Sequence, residues 1–117
     1  MQQEYPAKLL RIHISEADRF QGKPLHEAIF ALCRELKIAG ATVFRGLEGY
    51  GASAQMHKSR LARNDQPILI SIVDTEDNLD RLVPAVEEMM YTGLIAISAV
   101  QVVRVQNDSP AAEGKGA

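Results

Sequence analysis

Residues 67–73, Pro-Ile-Leu-Ile-Ser-Ile-Val, restrict the fold more than any other stretch of the chain. In an extended conformation Ile68, Ile70 and Ile72 point to one side and Leu69 and Val73 to the other, because successive side chains alternate across a strand. The run is therefore a strand rich in β-branched residues that needs apolar cover on both faces. Leu94 to Val105 makes the same demand, with Ile95, Ile97 and Val103 opposite Val100 and Val102.

Periodicity supplies the other elements. Ala7 to Ile14 alternates, with Leu10, Ile12 and Ile14 on one face and Leu9, Arg11 and His13 on the other, which predicts a half-buried strand. Ser15 to Gly22 is polar and turn-rich. Pro24 then sits where a first helical turn accepts it, ahead of a stripe formed by Leu25, Ala28, Ile29, Leu32, Cys33 and Leu36 that should stop near Ala39 and Gly40. Ala41 to Arg45 reads as a short strand. Asp74 or Thr75 is placed to cap a second helix carrying Leu79, Leu82, Val83, Val86, Met89 and Met90 on one stripe, bent at Pro84 and ended by Thr92 and Gly93.

The order strand, helix, strand, strand, helix, strand predicts an α+β fold, a ferredoxin-like βαββαβ antiparallel sheet with both helices on one face. That arrangement leaves the second sheet face bare, although its residues are apolar. Self-association is the simplest cover at roughly 25 cal/mol per Å² of apolar surface, and closed rotational symmetry is its usual form. Periodicity does not choose the number of copies.

Size permits one domain, expected over residues 1–105, with 106–117 as a flexible tail too poor in apolar residues to fold. With 13 Lys and Arg against 15 Asp and Glu, the formal charge of -2 directs the chain neither to nucleic acid nor to an anionic membrane surface. A single cysteine, Cys33, excludes an internal disulfide and fits a reducing compartment. No leader pattern and no apolar run of the ~18 residues needed to span a bilayer is present, so a cytoplasmic protein is expected.

The chemistry concentrates in residues 46–66, a connection several times the usual median of ~5 residues. Gly46, Gly49 and Gly51 flank Tyr50, and His57, Lys58, Arg60 and Arg63 follow. Glycines so spaced free the backbone to take positive φ and turn N–H groups toward an anion. Arg45, ending a strand at the loop base, is the best single phosphate contact; Arg60 or Arg63 offers a bidentate guanidinium, and Arg104 is a further candidate by position. Tyr50 is placed to stack on a base or pack on a neighbouring subunit, and His57 to meet a ligand or solvent. Glu16 and Asp18 stand near Lys23 and suggest a local ion network. His13, His26 and His57 lack metal-ligand spacing, and no nucleophile elbow or Walker-type motif occurs, so neither a metal site nor a catalytic residue is assigned.

The stretches Ser15-Glu-Ala-Asp18, Gly22-Lys-Pro-Leu-His-Glu-Ala-Ile29, Gly40-Ala-Thr-Val-Phe-Arg-Gly46 and Gly49-Tyr-Gly51, with His57 downstream, resemble the DUF190 family of PII-like proteins from Lys8 to Val105. The resemblance implies a homotrimer. It also implies a sensor that binds small molecules, often adenine nucleotides (AMP, ADP or ATP), in clefts between subunits. The residues read from spacing, charge and position as its ligand contacts are Arg45, Gly46, Gly49, Tyr50, Gly51, His57, Arg60 and Arg104. The long loop would then engage a partner, and the frequent genomic neighbourhood of fluoride-export channels implies a membrane transport protein in that role. The chain departs from true PII proteins after the second helix, where Tyr91-Thr-Gly-Leu94 is short and has no lysine, so a mono- or diphosphate is easier to accommodate than a triphosphate. Two alternatives stay open: a trimeric scaffold that binds only protein, and a hydrolase using Glu16, His57 and Arg45.

Overall fold

The computed structural model describes residues 2–46 and 66–108. In chain order its elements are β1 (Gln2–Ser15), β2 (Arg19–Phe20), β3 (Lys23–Pro24), α1 (Leu25–Glu35), β4 (Ala41–Arg45), β5 (Pro67–Asp74), α2 (Glu76–Met89) and β6 (Leu94–Val105). β4, β5, β1 and β6 lie side by side in that order in one antiparallel sheet. β1 and β4 therefore run parallel with β5 between them, and β5 and β6 run parallel with β1 between them, the interleaved split βαβ units of a ferredoxin-like fold.

One side of the sheet and two helix stripes make the core. Leu10, Ile12 and Ile14 stand opposite Ile72, Ile70 and Ile68, and all six are buried under Leu25, Ile29 and Cys33 of α1 and Leu79, Leu82 and Val86 of α2. The expected helix stripes are thus the ones the sheet uses. Cys33 is 3% exposed and burial pushes its thiol up to about 11. Since the thiolate is the reactive form, native protein should leave an aromatic disulfide reagent unreacted at mildly alkaline pH while the denatured chain reacts fully. Rapid stoichiometric reaction of the native protein would show that α1 opens readily.

Several boundaries differ from those expected, each for a local reason. β1 extends beyond Ala7–Ile14 because residues 2–7 pair with 100–105 of β6, forming a two-stranded arm past the end of β5. The segment read as a polar turn contains the β2–β3 hairpin, whose Gln21 (φ 52) and Gly22 (φ 82) supply the positive dihedrals of a two-residue turn. Pro24 caps α1 rather than sitting inside it.

α1 ends at Glu35, short of Gly40, because Lys37 takes the left-handed conformation (φ 60). The Ile38 amide donates to the Cys33 carbonyl and the Lys37 amide to that of Arg34, satisfying the last carbonyls as a Schellman motif does. Of the two capping candidates for α2, Thr75 caps and its hydroxyl accepts from the Asn78 amide, while Asp74 closes β5. α2 continues across Pro84 and stops at Met89, ahead of Thr92 and Gly93. Gly93 instead serves the following turn: at φ 139 it passes within 2.8 Å of the His13 carbonyl oxygen, measured from where a Cβ would stand. No helix among the described residues is long and apolar enough to cross a membrane.

Among the described residues, no layer covers the second face of the sheet. Phe44 is 51% exposed and Leu94 58%, and Val73, opposite Leu9, is 39% exposed. Tyr5, Leu9, Leu69, Val100 and Val102 share that face by alternation and are half-buried.

Candidate functional site

Topology gathers one end of the sheet into a site. β1 and β4 both terminate there, β5 starts there, and so does β6. The residues that end those strands, Ser15, Arg45 and Pro67, are consequently neighbours, although far apart in sequence. The Gly46 amide donates to the Pro67 carbonyl at 2.7 Å, and the Glu16 amide donates to the Gln66 carbonyl at 2.7 Å. Both ends of the connection 46–66 are therefore pinned to the sheet and to each other.

Arg45 is the sequence candidate that the fold places at this base, where its side chain is 60% exposed. Its Nη2 donates to Glu16 Oε2, a charge-assisted contact between the end of β4 and the residue that follows β1. Glu16 is far less exposed, at 18%, and its Oε1 is buried with no hydrogen-bond partner among the described residues, as is His26 Nδ1. The expected network of Glu16 and Asp18 with Lys23 is replaced by this pair. Asp18 Oδ2 accepts from the Ser15 amide at 2.8 Å and its carbonyl accepts from the Leu25 amide, so Asp18 shapes the turn that leads into α1.

Gly46 has a different reason to be glycine from the one the glycine spacing suggested. A Cβ there would stand 2.9 Å from Pro67 Cγ, too close for any side chain without displacing the ring, so close packing rather than positive φ requires it. Gly49, Tyr50, Gly51, His57, Lys58, Arg60 and Arg63 lie outside the described residues. Arg104 stands opposite Gln3 on the arm, whereas Arg45 aligns through Ile68 with Ile14. Eleven positions along β1 separate those registers, roughly 36 Å at ~3.3 Å per residue. One chain does not bring the two arginines together.

A concavity of about 480 Å³ opens on the helix side between the β2–β3 hairpin and the two helices, lined by Phe20, Lys23, Glu27, Leu32, Glu35 and Met89 among others. It contains none of the candidate site residues.

The interleaved βαβ units, the sheet order and the long connection at the β4–β5 end define a PII-like fold. Its overlay on CPII of Thiomonas intermedia K12, a nitrogen regulatory PII-like protein solved bound to ADP, AMP and bicarbonate, gives a TM-score of 0.65 at 20% identity and covers 89% of this chain and 100% of that one. The family model for DUF190, described as an uncharacterized ACR, matches residues 7–102, and the chain belongs to that family. A UPF0166 protein of Aquifex aeolicus is 35% identical over 82% of this chain and 92% of its own length. A second UPF0166 protein, from Methanocaldococcus jannaschii, is 36% identical over 84% of this chain and 93% of its own. The resemblance read from Ser15–Asp18, Gly22–Ile29 and Gly40–Gly46 is thus borne out, as is the α+β ferredoxin-like, PII-like fold.

Proposed function

We propose that this protein is a cytoplasmic PII-like regulator that binds an adenine nucleotide or another small anion at the Arg45 end of the sheet, in clefts between the subunits of a homotrimer. The observation that carries the reading is the fold shared with CPII, a protein solved with ADP, AMP and bicarbonate bound. An exposed guanidinium at the base of the 46–66 connection supports it. So does the uncovered apolar face carrying Phe44, Val73 and Leu94, which a second and third copy would bury. Arg104, remote from Arg45 within one chain, would reach such a cleft only from a neighbouring subunit. Ligand occupancy at the loop base then alters the affinity of the protein for a partner, a membrane transport protein being the first to test.

Calorimetric titration of the wild-type protein with ADP, AMP and bicarbonate tests this reading. Arg45→Ala should weaken nucleotide binding about tenfold or more, the scale of a lost charge-assisted contact to phosphate, while the far-ultraviolet circular dichroism stays that of the wild type. Absence of binding by the wild type would leave the protein-only scaffold as the better account, and turnover of bound nucleotide would favour the hydrolase.

A further inference from the structure

We propose that Glu16 is an internal competitor for the ligand anion: it holds Arg45 in the free protein, and a phosphate or carboxylate must displace it in order to bind. This inference rests on the anion-binding reading of the Arg45 end and adds how affinity at that site is set. Within the Arg45–Glu16 pair the carboxylate is the fixed partner. Its backbone amide is bonded to the Gln66 carbonyl, and its side chain is 18% exposed against 60% for Arg45. The guanidinium is the partner with room to move.

The pair engages a single donor and a single acceptor, Nη2 and Oε2, although a guanidinium offers five donors and a phosphate can take two of them side by side. An anion therefore makes a better partner for Arg45 than Glu16 does. The exchange nevertheless has a cost, because it leaves behind a carboxylate whose other oxygen, Oε1, is already buried without a donor among the described residues. Asp18, the other carboxylate on this turn, does not stand in for Glu16, since its Oδ2 is held by the Ser15 amide. Binding is thus weaker than Arg45 alone would allow. Glu16 sets the concentration at which the protein responds.

Neutralising the competitor without changing its shape isolates the effect. Glu16→Gln should bind ADP roughly three- to fivefold more tightly than wild type, the range expected when an arginine this exposed is released from an ion pair. Adenosine, which has no phosphate, should bind both proteins alike, and Glu16→Gln combined with Arg45→Ala should show no gain over Arg45→Ala alone. Unchanged or weaker ADP binding by Glu16→Gln, with the wild type still binding ADP, overturns the competitor role and leaves the nucleotide reading standing. An equal gain for adenosine overturns it too, since that would be a change of pocket shape. If neither protein binds ADP, AMP or bicarbonate, both readings fall together.

Discussion

Replacing Asp74 by alanine is expected to lower the unfolding free energy by about 3 kcal/mol and the melting temperature by on the order of 10–20 °C, the largest loss predicted for a single polar side chain here. Asp74 ends β5 and is 5% exposed. Its Oδ2 accepts from the Ala39 amide at 2.9 Å, and its Oδ1 accepts from the Thr75 amide at 2.7 Å and from Asn78 Nδ2 at 2.9 Å. Arg81 extends the group, donating to Asn78 Oδ1 and to the Leu36 carbonyl. The carboxylate thus joins the segment after α1 to the first turn of α2, and alanine would leave three donors without their acceptor. Asparagine should be no rescue, because its amide nitrogen must face one donor set or the other.

The same cluster predicts a pH dependence. Burial acts to raise the Asp74 pKa, but the Ala39 amide, the Asn78 side chain, the Thr75 amide and the charge of Arg81 outweigh it and hold the group below its ordinary 3.8. A carboxyl depressed by folding contributes stability that is present above its unfolded value and is lost as pH falls through the folded one. The gap in melting temperature between wild type and Asp74→Ala should therefore be full above about pH 5 and narrow below 3.8. A gap that persisted unchanged to pH 2 would mean that the loss is one of packing and not of the charged acceptor.

How much of this was legible in the sequence depends on the range over which each feature is decided. β6 runs over Leu94–Val105 and β4 over Ala41–Arg45 as periodicity predicts, because alternation within the strand itself carries the signal. The N-terminal extension of β1 did not show, since Glu4 and Pro6 become strand only by pairing with Val103 and Gln101 at the other end of the chain. Two-residue strands such as Arg19–Phe20 have no period to detect. The end of α1 was misplaced because Gly40 advertises a stop that Lys37, a residue with no such preference, in fact provides.

At the site, Arg45 was legible as the base of a long connection. Its pairing with Glu16 was not, because it follows from sheet order. Only when β1 and β4 are known to flank β5 in parallel does the residue after β1 come beside the last residue of β4. Glu16 was instead assigned to Lys23, its nearer neighbour in sequence.

Val73→Asp is expected to convert the proposed trimer into monomers while leaving each monomer folded. Val73 faces the uncovered side of the sheet and is 39% exposed in the single chain, so a carboxylate there meets solvent and costs no more than the ~1 kcal/mol range of strand propensity. Buried between copies it would be an unpaired charge, with a penalty of several kcal/mol in each subunit, enough to shift association by orders of magnitude. Arg11 lies on the same face, diagonal to Val73 across the β1–β5 pair, at a distance a long side chain can span, so the shorter acid is preferred to glutamate to weaken that contact. Leu94→Asp repeats the test at the start of β6, where the native side chain is 58% exposed. Light scattering on a sizing column should show monomer for both variants and trimer for the wild type. On the proposed reading ADP binding should disappear with the trimer, because the clefts between subunits would exist only in the assembly. Variants that stayed trimeric would move the contact from this face to the free edge of β6, whose Ile97, Val103 and Val105 are at least half exposed and are the remaining apolar surface on that strand.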